Sequence, residues 1–117
     1  MTKKTQGKIT IAPDVLITIA KLSTLSIPGV ASLAINAGGV NSLFDKGLSE
    51  GVQIKVEDNK VYTDLFVTLK PDVNVLEVSH AIQHQVSRAI SEMVGMDVGK
   101  VNIHIEDIEF NPASLAA

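Results

Sequence analysis

The 117-residue sequence contains no cysteine and no tryptophan, and its aromatic residues are one tyrosine and three phenylalanines. The absence of cysteine excludes disulfide bonds, thiolate zinc sites and cysteine nucleophiles, and it is compatible with a reducing cytoplasm. The net charge is −3 and the basic residues are scattered, so the positive surface typical of a nucleic-acid-binding protein is missing. The few dispersed aromatic rings cannot form a base-stacking surface. We therefore expect no nucleic-acid partner.

Long apolar runs are missing as well. No run approaches the roughly 20 apolar residues that a membrane-spanning helix needs, and the chain opens on a polar segment rather than on a charged-then-apolar signal segment. Direct insertion into a membrane is therefore not expected. Apolar residues make up 45% of the chain and charged residues 20%, which is typical of a globular protein. We predict a polar tail at residues 1–6, one domain at residues 7–110 and a second tail at residues 111–117.

The clearest predicted elements are a helix and a following strand, between residues 74 and 110. One sector of the helical wheel holds the apolar side chains of Val75, Val78, Ile82, Val86, Ala89, Ile90 and Met93. This arrangement predicts a helix that is buried on one side, and Gly95 is a typical residue to end it. The period then becomes two, because Val101, Ile103 and Ile105 alternate with polar residues. That alternation predicts a strand with one solvated face.

The N-terminal part predicts a strand and a shorter helix. Ile9 and Ile11 alternate with polar residues, which favours a strand over residues 7–11. Pro13 suits the first turn of a helix of about 13 residues, which ends before Pro28. The predicted buried stripe of this helix consists of Val15, Leu16, Ile19 and Leu22.

A further strand is predicted over residues 30–35, followed by an irregular loop over residues 36–51 that holds four of the eight glycines. One helical turn is predicted within it, near residues 40–44. The glycine spacing fits neither of the common phosphate-binding motifs, so the segment is interpreted as a connecting loop.

The next two strands form a predicted hairpin whose register follows from alternation. The apolar residues lie at even positions from Val52 to Val56 and at odd positions from Val61 to Leu69. Directly opposed residues share a face of the sheet, so the turn must contain an even number of residues. Two residues drawn from positions 58–60 provide such a turn.

Together these elements predict an α+β fold, a two-layer sandwich with the element order β-α-β-β-β-α-β. Each predicted strand has one apolar face, so a single mixed sheet with two helices on one face would bury all of these faces.

The three histidines are the candidate metal-binding or catalytic residues. His80 and His84 lie one turn apart on the polar side of the long helix, a spacing that can chelate zinc or nickel, and Glu77 could add an oxygen ligand. Without a further nitrogen or sulfur ligand, a solvated helix face is the better interpretation. His104 lies on the polar face of the last strand, where the sequence offers no residue to orient it as a general base. We predict no metal, cofactor or catalytic site.

Two aromatic side chains fall on the sheet face that the helices are not expected to cover. Tyr62 and Phe66 alternate with the apolar residues of their strand, and Lys55, Thr68 and His104 lie on the same face. Exposed apolar patches with aromatic residues are typical of protein–protein interfaces. We hypothesise that this face mediates self-association or the docking of a partner; the alternative is that a loop or a terminus covers it.

With these motifs in place, the sequence resembles the alkaline shock protein 23 family, the envelope-stress-response proteins of Gram-positive and related bacteria, over residues 7–110. The resemblance is carried by Gly7-Lys8-Ile9-Thr10-Ile11-Ala12-Pro13-Asp14-Val15-Leu16, Ile27-Pro28-Gly29-Val30, Asn74-Val75, Glu77-Val78, Ile82-Gln83, Val86, Ile90, Glu92-Met93-Val94-Gly95 and Val101-Asn102-Ile103-His104-Ile105-Glu106. The chain is similar to a short, domain-only member of that family, because the long polar extensions of larger members are missing.

The resemblance implies a cytoplasmic, non-enzymatic protein that works in envelope stress response or homeostasis through protein contacts. It implies self-association and a membrane-anchored protein partner, as in larger relatives, and a link to lipid-precursor metabolism, as in short relatives. The family supplies no catalytic residues to carry over. The alternative function is a small-ligand-binding regulator that senses a metabolite between the helices and the loop at residues 36–51.

Overall fold

The computed structural model describes residues 7–34 and 50–109. Within these ranges the chain forms α1 (Pro13–Leu25), β1 (Val30–Leu33), β2 (Val52–Glu57), β3 (Lys60–Leu69), α2 (Val75–Val94) and β4 (Asp97–Ile108). The two predicted tails, Phe110 and the predicted helical turn at residues 40–44 lie outside the described residues, as does the predicted loop apart from its last two residues.

β3 is the central strand of the sheet. β4 runs parallel along the whole of one edge of β3, from Asp97 opposite Lys60 to Ile108 opposite Leu69. β2 and β1 run antiparallel along the other edge, with β2 beside the first part of β3 and β1 beside the last part. The sheet is therefore mixed, as predicted.

β1 and β2 form a single line that is interrupted between residues 34 and 51. The Phe66 N–H donates to the Gly51 carbonyl at 2.9 Å, and the Phe66 carbonyl accepts from the Ala34 N–H at 2.7 Å. Gly51 has a φ of +86°, and a β-carbon there would lie 3.0 Å from Cβ of Leu33. Ala34 and Gly51 thus both bond to the same residue of β3.

The predicted strand at residues 7–11 is wrong. Residues 7–12 take no regular secondary structure, and Ile9 is 88% exposed. Alternation gives this segment its strand propensity, but a strand also needs a free edge within its reach, and both edges of the central strand β3 are occupied. The described residues therefore form four strands instead of five. The predicted α+β class, with two helices packed on one face of the sheet, is confirmed.

The core lies between the helices and the sheet face that carries the odd-numbered residues of β3. The helices contribute Val78, Ile82, Val86 and Ile90 from α2, and Leu16, Ile19, Ala20 and Thr24 from α1. The predicted α2 face is confirmed at its centre, although Met93 is 71% exposed. The predicted α1 stripe is wrong at Val15 and Leu22, which are exposed. Because α1 is apolar on several sides, its sequence does not fix which side is buried.

Local signals place the ends of α2 and the hairpin turn as predicted. The Asn74 side chain accepts a hydrogen bond from the Glu77 N–H at 2.9 Å, which satisfies one free donor of the first helical turn. Gly95 ends the helix with a φ of 77°. Asp58 and Asn59 form the two-residue turn with φ values of 51° and 62°, and even positions of β2 oppose odd positions of β3.

Candidate interaction surface

The sheet face opposite the helices, called the open face here, carries all five side chains of the predicted interaction surface. Tyr62, Phe66 and Thr68 occupy even positions of β3, whose odd positions point into the core. Lys55 lies opposite Tyr62 on β2, and His104 lies opposite Phe66 on β4. Directly opposed residues share a face. None of the described helices or strands packs on this face, so its interaction role stays a prediction, as does the alternative that a loop or a terminus covers it.

The centre of the open face is a stacked pair of rings. The ring centroids of Phe66 and His104 lie 4.5 Å apart, and the ring planes are inclined by 13°. The His104 side chain is 43% exposed and Phe66 is half-buried. Offset or stacked ring pairs gain about 0.5–1.5 kcal/mol beyond the burial of their area. The stack therefore holds both rings in place while leaving a flat, partly apolar surface in contact with solvent.

Asp64 fixes the orientation of the imidazole. Nε2 of His104 lies 2.9 Å from Oδ1 of Asp64, and Nδ2 of Asn102 donates to the same oxygen at 3.2 Å. A neutral imidazole must carry its proton on Nε2 to make this bond, which leaves Nδ1 as an acceptor. When His104 is protonated, the same contact becomes an ion pair on a partly exposed surface, where such pairs contribute little to stability.

The expectation that no residue orients His104 is therefore wrong. Asp64 is 40 residues away in the sequence, and it reaches His104 because β4 runs parallel to β3 with Asn102 opposite Asp64. The alternation of β3 places Asp64 on the same face as Phe66, and this is the only sequence signal that could have found it. The pairing of the two strands, which decides the contact, has no local signature.

An oriented imidazole is also a component of many catalytic sites, and its surroundings decide what it can do. General acid–base chemistry needs a substrate or nucleophile within hydrogen-bond reach. Within residues 7–34 and 50–109, no hydroxyl group is hydrogen-bonded to His104. The pair therefore offers a fixed aromatic surface with one hydrogen-bonding nitrogen, which suits recognition.

The other members of the open face surround this centre. A methyl group at position 99 would overlap the Tyr62 ring, so this ring packs against β4 at Gly99. The Lys55 ammonium lies 3.6 Å from the Glu57 carboxylate, and the Lys55 side chain is 70% exposed. Thr68 is half-buried at the far end of the face. Less aromatic surface is thus exposed than the alternation alone indicated.

The two helix histidines lie away from this surface. His80 and His84 are both exposed on α2, and no group of three or more His, Cys, Asp or Glu side chains in the described part of the chain is placed to hold a metal ion. On the same helix, Nε of Arg88 donates to Glu92 at 2.8 Å. This hydrogen bond, together with the charge of Glu92, raises the pKa of the Arg88 guanidinium above its ordinary value.

A second apolar region was missed by the sequence analysis. It lies where the start of α1, the end of α2 and the β2–β3 turn meet. A cleft of about 530 Å³ there is lined by Ile9, Ile11, Pro13, Leu16, Val56, Asn59, Val94, Gly95 and Met96. Val56 is 50% exposed, although its alternation places it on the apolar face of β2. Val56 therefore lines the cleft instead of lying under a helix, and alternation alone does not reveal which apolar residues a helix covers.

Most of the loop invoked for the alternative ligand site lies outside the described residues. Its residue Glu50 accepts from Nζ of Lys21 on α1 at 2.7 Å. Glu50 also lines a depression of about 200 Å³ together with Asp14, Ile17 and Thr18. These contacts tie the start of β2 to α1. Neither described helix is long and apolar enough to cross a membrane.

Residues 1–110 match the alkaline shock protein 23 family, which is described as having a cell envelope-related function. The chain is 37% identical over 109 residues to the uncharacterized protein Spy1535 of Streptococcus pyogenes, covering 92% of this chain and 84% of that protein. It is 29% identical over 107 residues to the uncharacterized protein YqhY of Bacillus subtilis, covering 90% of this chain and 79% of that protein.

Solved structures share the fold at low sequence identity. The triple variant H264A-E289A-C267S of the MamM CTD superposes with a TM-score of 0.56 at 12% identity, over 82% of this chain and 95% of that chain. The copper form of the D249H variant gives a TM-score of 0.53 at 11% identity, over 84% of this chain and 100% of that chain. At this identity the likeness concerns the fold alone.

Proposed function

Because this chain belongs to the alkaline shock protein 23 family, whose described function is cell envelope-related, we propose that it is a non-enzymatic protein-interaction module of cell-envelope homeostasis. The open face is the docking surface in this proposal. The observation that carries it is the stack of Phe66 on His104, with Asp64 fixing the imidazole, on a sheet face that no described helix or strand covers.

Physical properties of the open face support this role. Aromatic rings provide large contact areas with few rotatable bonds, so little side-chain entropy is lost when a partner binds. The rings of Phe66 and Tyr62 are already held by neighbours, through His104 and Gly99 respectively. Around them lie side chains able to form hydrogen bonds and ion pairs at a polar rim. An aromatic centre with a polar rim is the usual composition of a protein-binding site.

The proposed partner is a protein, either a membrane-anchored protein or a second copy of this chain. A cytoplasmic location, with recruitment to the membrane through the partner, follows from the family resemblance. A role in the envelope stress response, linked to lipid-precursor metabolism, is part of the same proposal. Asp64 and His104 act in it as a fixed recognition pair rather than as an acid–base pair.

The test compares open-face variants with matched variants elsewhere. The immobilised full chain captures partners from native lysate, and the captured protein is then titrated against each purified variant. We expect Phe66→Ser to weaken binding at least about tenfold, equivalent to about 1.4 kcal/mol, because it removes the ring at the centre of the surface. Met93→Ser, which also changes an exposed apolar residue, should leave the affinity unchanged.

A second pair of variants tests which of two histidines contributes to partner binding. His104→Ala should weaken binding, whereas His84→Ala on α2 should not. Equal affinities for all four variants would contradict the docking surface. A turnover activity lost in both Asp64→Asn and His104→Ala would contradict the non-enzymatic assignment. A partnerless chain that carries a co-purified small molecule would instead favour the ligand-binding regulator.

A further inference from the structure

The outer edge of β4 offers unpaired backbone groups. In the described part of the chain, β4 pairs with β3 alone. Nε2 of Gln83 on α2 donates to the Val101 carbonyl at 3.0 Å, so this carbonyl points away from β3. Backbone groups of alternate residues point to the same edge of a strand, and the register is regular from Val101 to Ile105. The N–H and C=O groups of Ile103 and Ile105 therefore also point outward.

The N-terminal segment has the complementary properties. Residues 7–11 alternate between apolar and polar side chains, are exposed, and take no regular structure. Their backbone groups make no hydrogen bond with any other described residue. An unpaired strand sequence and an unpaired strand edge on one molecule are the two halves of a strand-addition interface.

We propose that residues 7–11 of a second copy of this chain pair antiparallel with the outer edge of β4, with Ile9 opposite Ile105 and Ile11 opposite Ile103. In this register the two apolar residues continue the helix-facing side of the sheet, beside the half-buried Ile103 and Ile105. The proposal concerns an edge of the sheet and does not depend on the docking role of the open face.

Three features favour this register. Lys8 comes to lie beside Glu106, which follows Ile105 at the irregularity of β4, so opposite charges come close across the strands. Residue 13 comes to lie opposite Val101, whose carbonyl is already bound by Gln83. That residue is Pro13, which has no N–H to offer. The added strand therefore ends where the free part of the edge ends.

The segment cannot reach this edge on its own molecule. Pro13 and Met96 line the same cleft, so Pro13 lies near the start of β4. From Met96 to Ile105 the extended chain spans about 30 Å, whereas residues 9 to 13 span at most about 14 Å. Leu16 is buried in the core, so α1 holds Pro13 in place. The donor of the added strand must be another copy.

The first experiment measures absolute mass in solution by light scattering across a concentration series. We expect a multiple of the 12.4 kDa of one chain for the wild type, and 12.4 kDa for Ile9→Pro, because proline removes an N–H that the proposed ladder uses. Thr10→Pro is the matched control, because the N–H of residue 10 points away from β4 in this register. Both variants change a segment outside the core, so folding is preserved.

Several results would overturn the proposal. A wild type that stays at 12.4 kDa at every concentration would do so, as would equal masses for the two proline variants. The proposal would also be overturned if Phe66→Ser were monomeric while Ile9→Pro still assembled. That result would assign self-association to the open face.

Cross-linking then tests the register, because the chain has no native cysteine. Thr10 and His104 would form a non-hydrogen-bonded pair with α-carbons about 4.5 Å apart, within the range for a disulfide. A tagged Thr10→Cys chain should form a mixed disulfide with an untagged His104→Cys chain at least tenfold faster than with Gln53→Cys, an exposed position on β2. Equal rates would refute the register. An intramolecular disulfide in the double variant, without cross-linking in the mixture, would refute the exchange between copies.

Discussion

At the scale of single residues, Gly29 shows how closely the helices approach the sheet. It follows α1 with a φ of +103°, and a β-carbon there would lie 2.9 Å from Cγ2 of Val78 on α2. Its carbonyl accepts from the Lys70 N–H at 2.8 Å, next to the end of β3. The backbone conformation and the contact with α2 thus both depend on this residue having no side chain.

We predict that Gly29→Ala lowers the free energy of unfolding by about 3 kcal/mol, because backbone strain and overpacking each cost about 1–3 kcal/mol. Gly95→Ala is the matched control. Gly95 also has a positive φ of +77°, but a β-carbon there would meet nothing within 4 Å, so we expect a loss of about 1 kcal/mol from the backbone term alone. Urea unfolding measures both values. Equal losses would show that the contact with Val78 relaxes without cost.

At the scale of elements, the sequence specifies the β2–β3 hairpin but not the alignment of β1 with β2. The β2–β3 hairpin follows from its alternation and from a turn whose two residues tolerate positive φ. The line formed by β1 and β2 has no comparable signal. Its two parts align because Ala34 and Gly51 both bond to Phe66, and this contact exists only once β3 is in place.

We expect Asn59→Ala to destabilise the hairpin. Asn59 has a φ of 62°, a conformation that costs ordinary L-residues about 1–2 kcal/mol but is tolerated by asparagine and glycine. The free energy of unfolding should therefore fall by about 1 kcal/mol in Asn59→Ala, whereas Asn59→Gly should stay close to the wild type. Thermal and urea unfolding of both variants provide the measurement. An unchanged Asn59→Ala would mean that the turn relaxes to another type.

At the scale of the whole molecule, one layer of helices covers one face of the sheet, and no described helix or strand covers the other face. The end of β1 and the start of β2 lie close together, because Ala34 and Gly51 both hydrogen-bond to Phe66. The fold described by residues 7–34 and 50–109 therefore has no contact that requires a long connection between these ends.

We predict that replacing residues 35–49 with a glycine–serine linker of about four residues preserves the fold, because a shorter loop costs less closure entropy. Circular dichroism and the melting temperature should stay close to the wild-type values, and partner affinity at the open face should not change. A glycine–serine segment of the original length is the control that separates loss of sequence from loss of length. Loss of partner binding in both variants, with the fold intact, would assign recognition to residues 35–49.

The sequence predicted which residues share the candidate surface, but it did not predict which of their side chains contact one another. Alternation placed Tyr62 and Phe66 on the face away from the helices, and the structure agrees. The contact of Asp64 with His104 joins residues 40 positions apart. The contact of the Tyr62 ring with Gly99 depends on the same pairing of β3 with β4. Parallel pairing brings these groups together, and no local pattern encodes its register.

The sequence by itself determined the elements whose signals are local. These are the α2 helix with its Asn74 and Gly95 caps, the hairpin register and the one-sided burial of the sheet, because caps, turns and periodicity act over a few residues. Only the tertiary structure decided which strand-like segments became strands and which side of α1 was buried. Residues 7–11 alternate as regularly as β4 does, yet they remain unpaired, because a strand forms only where a free edge lies within reach of the segment.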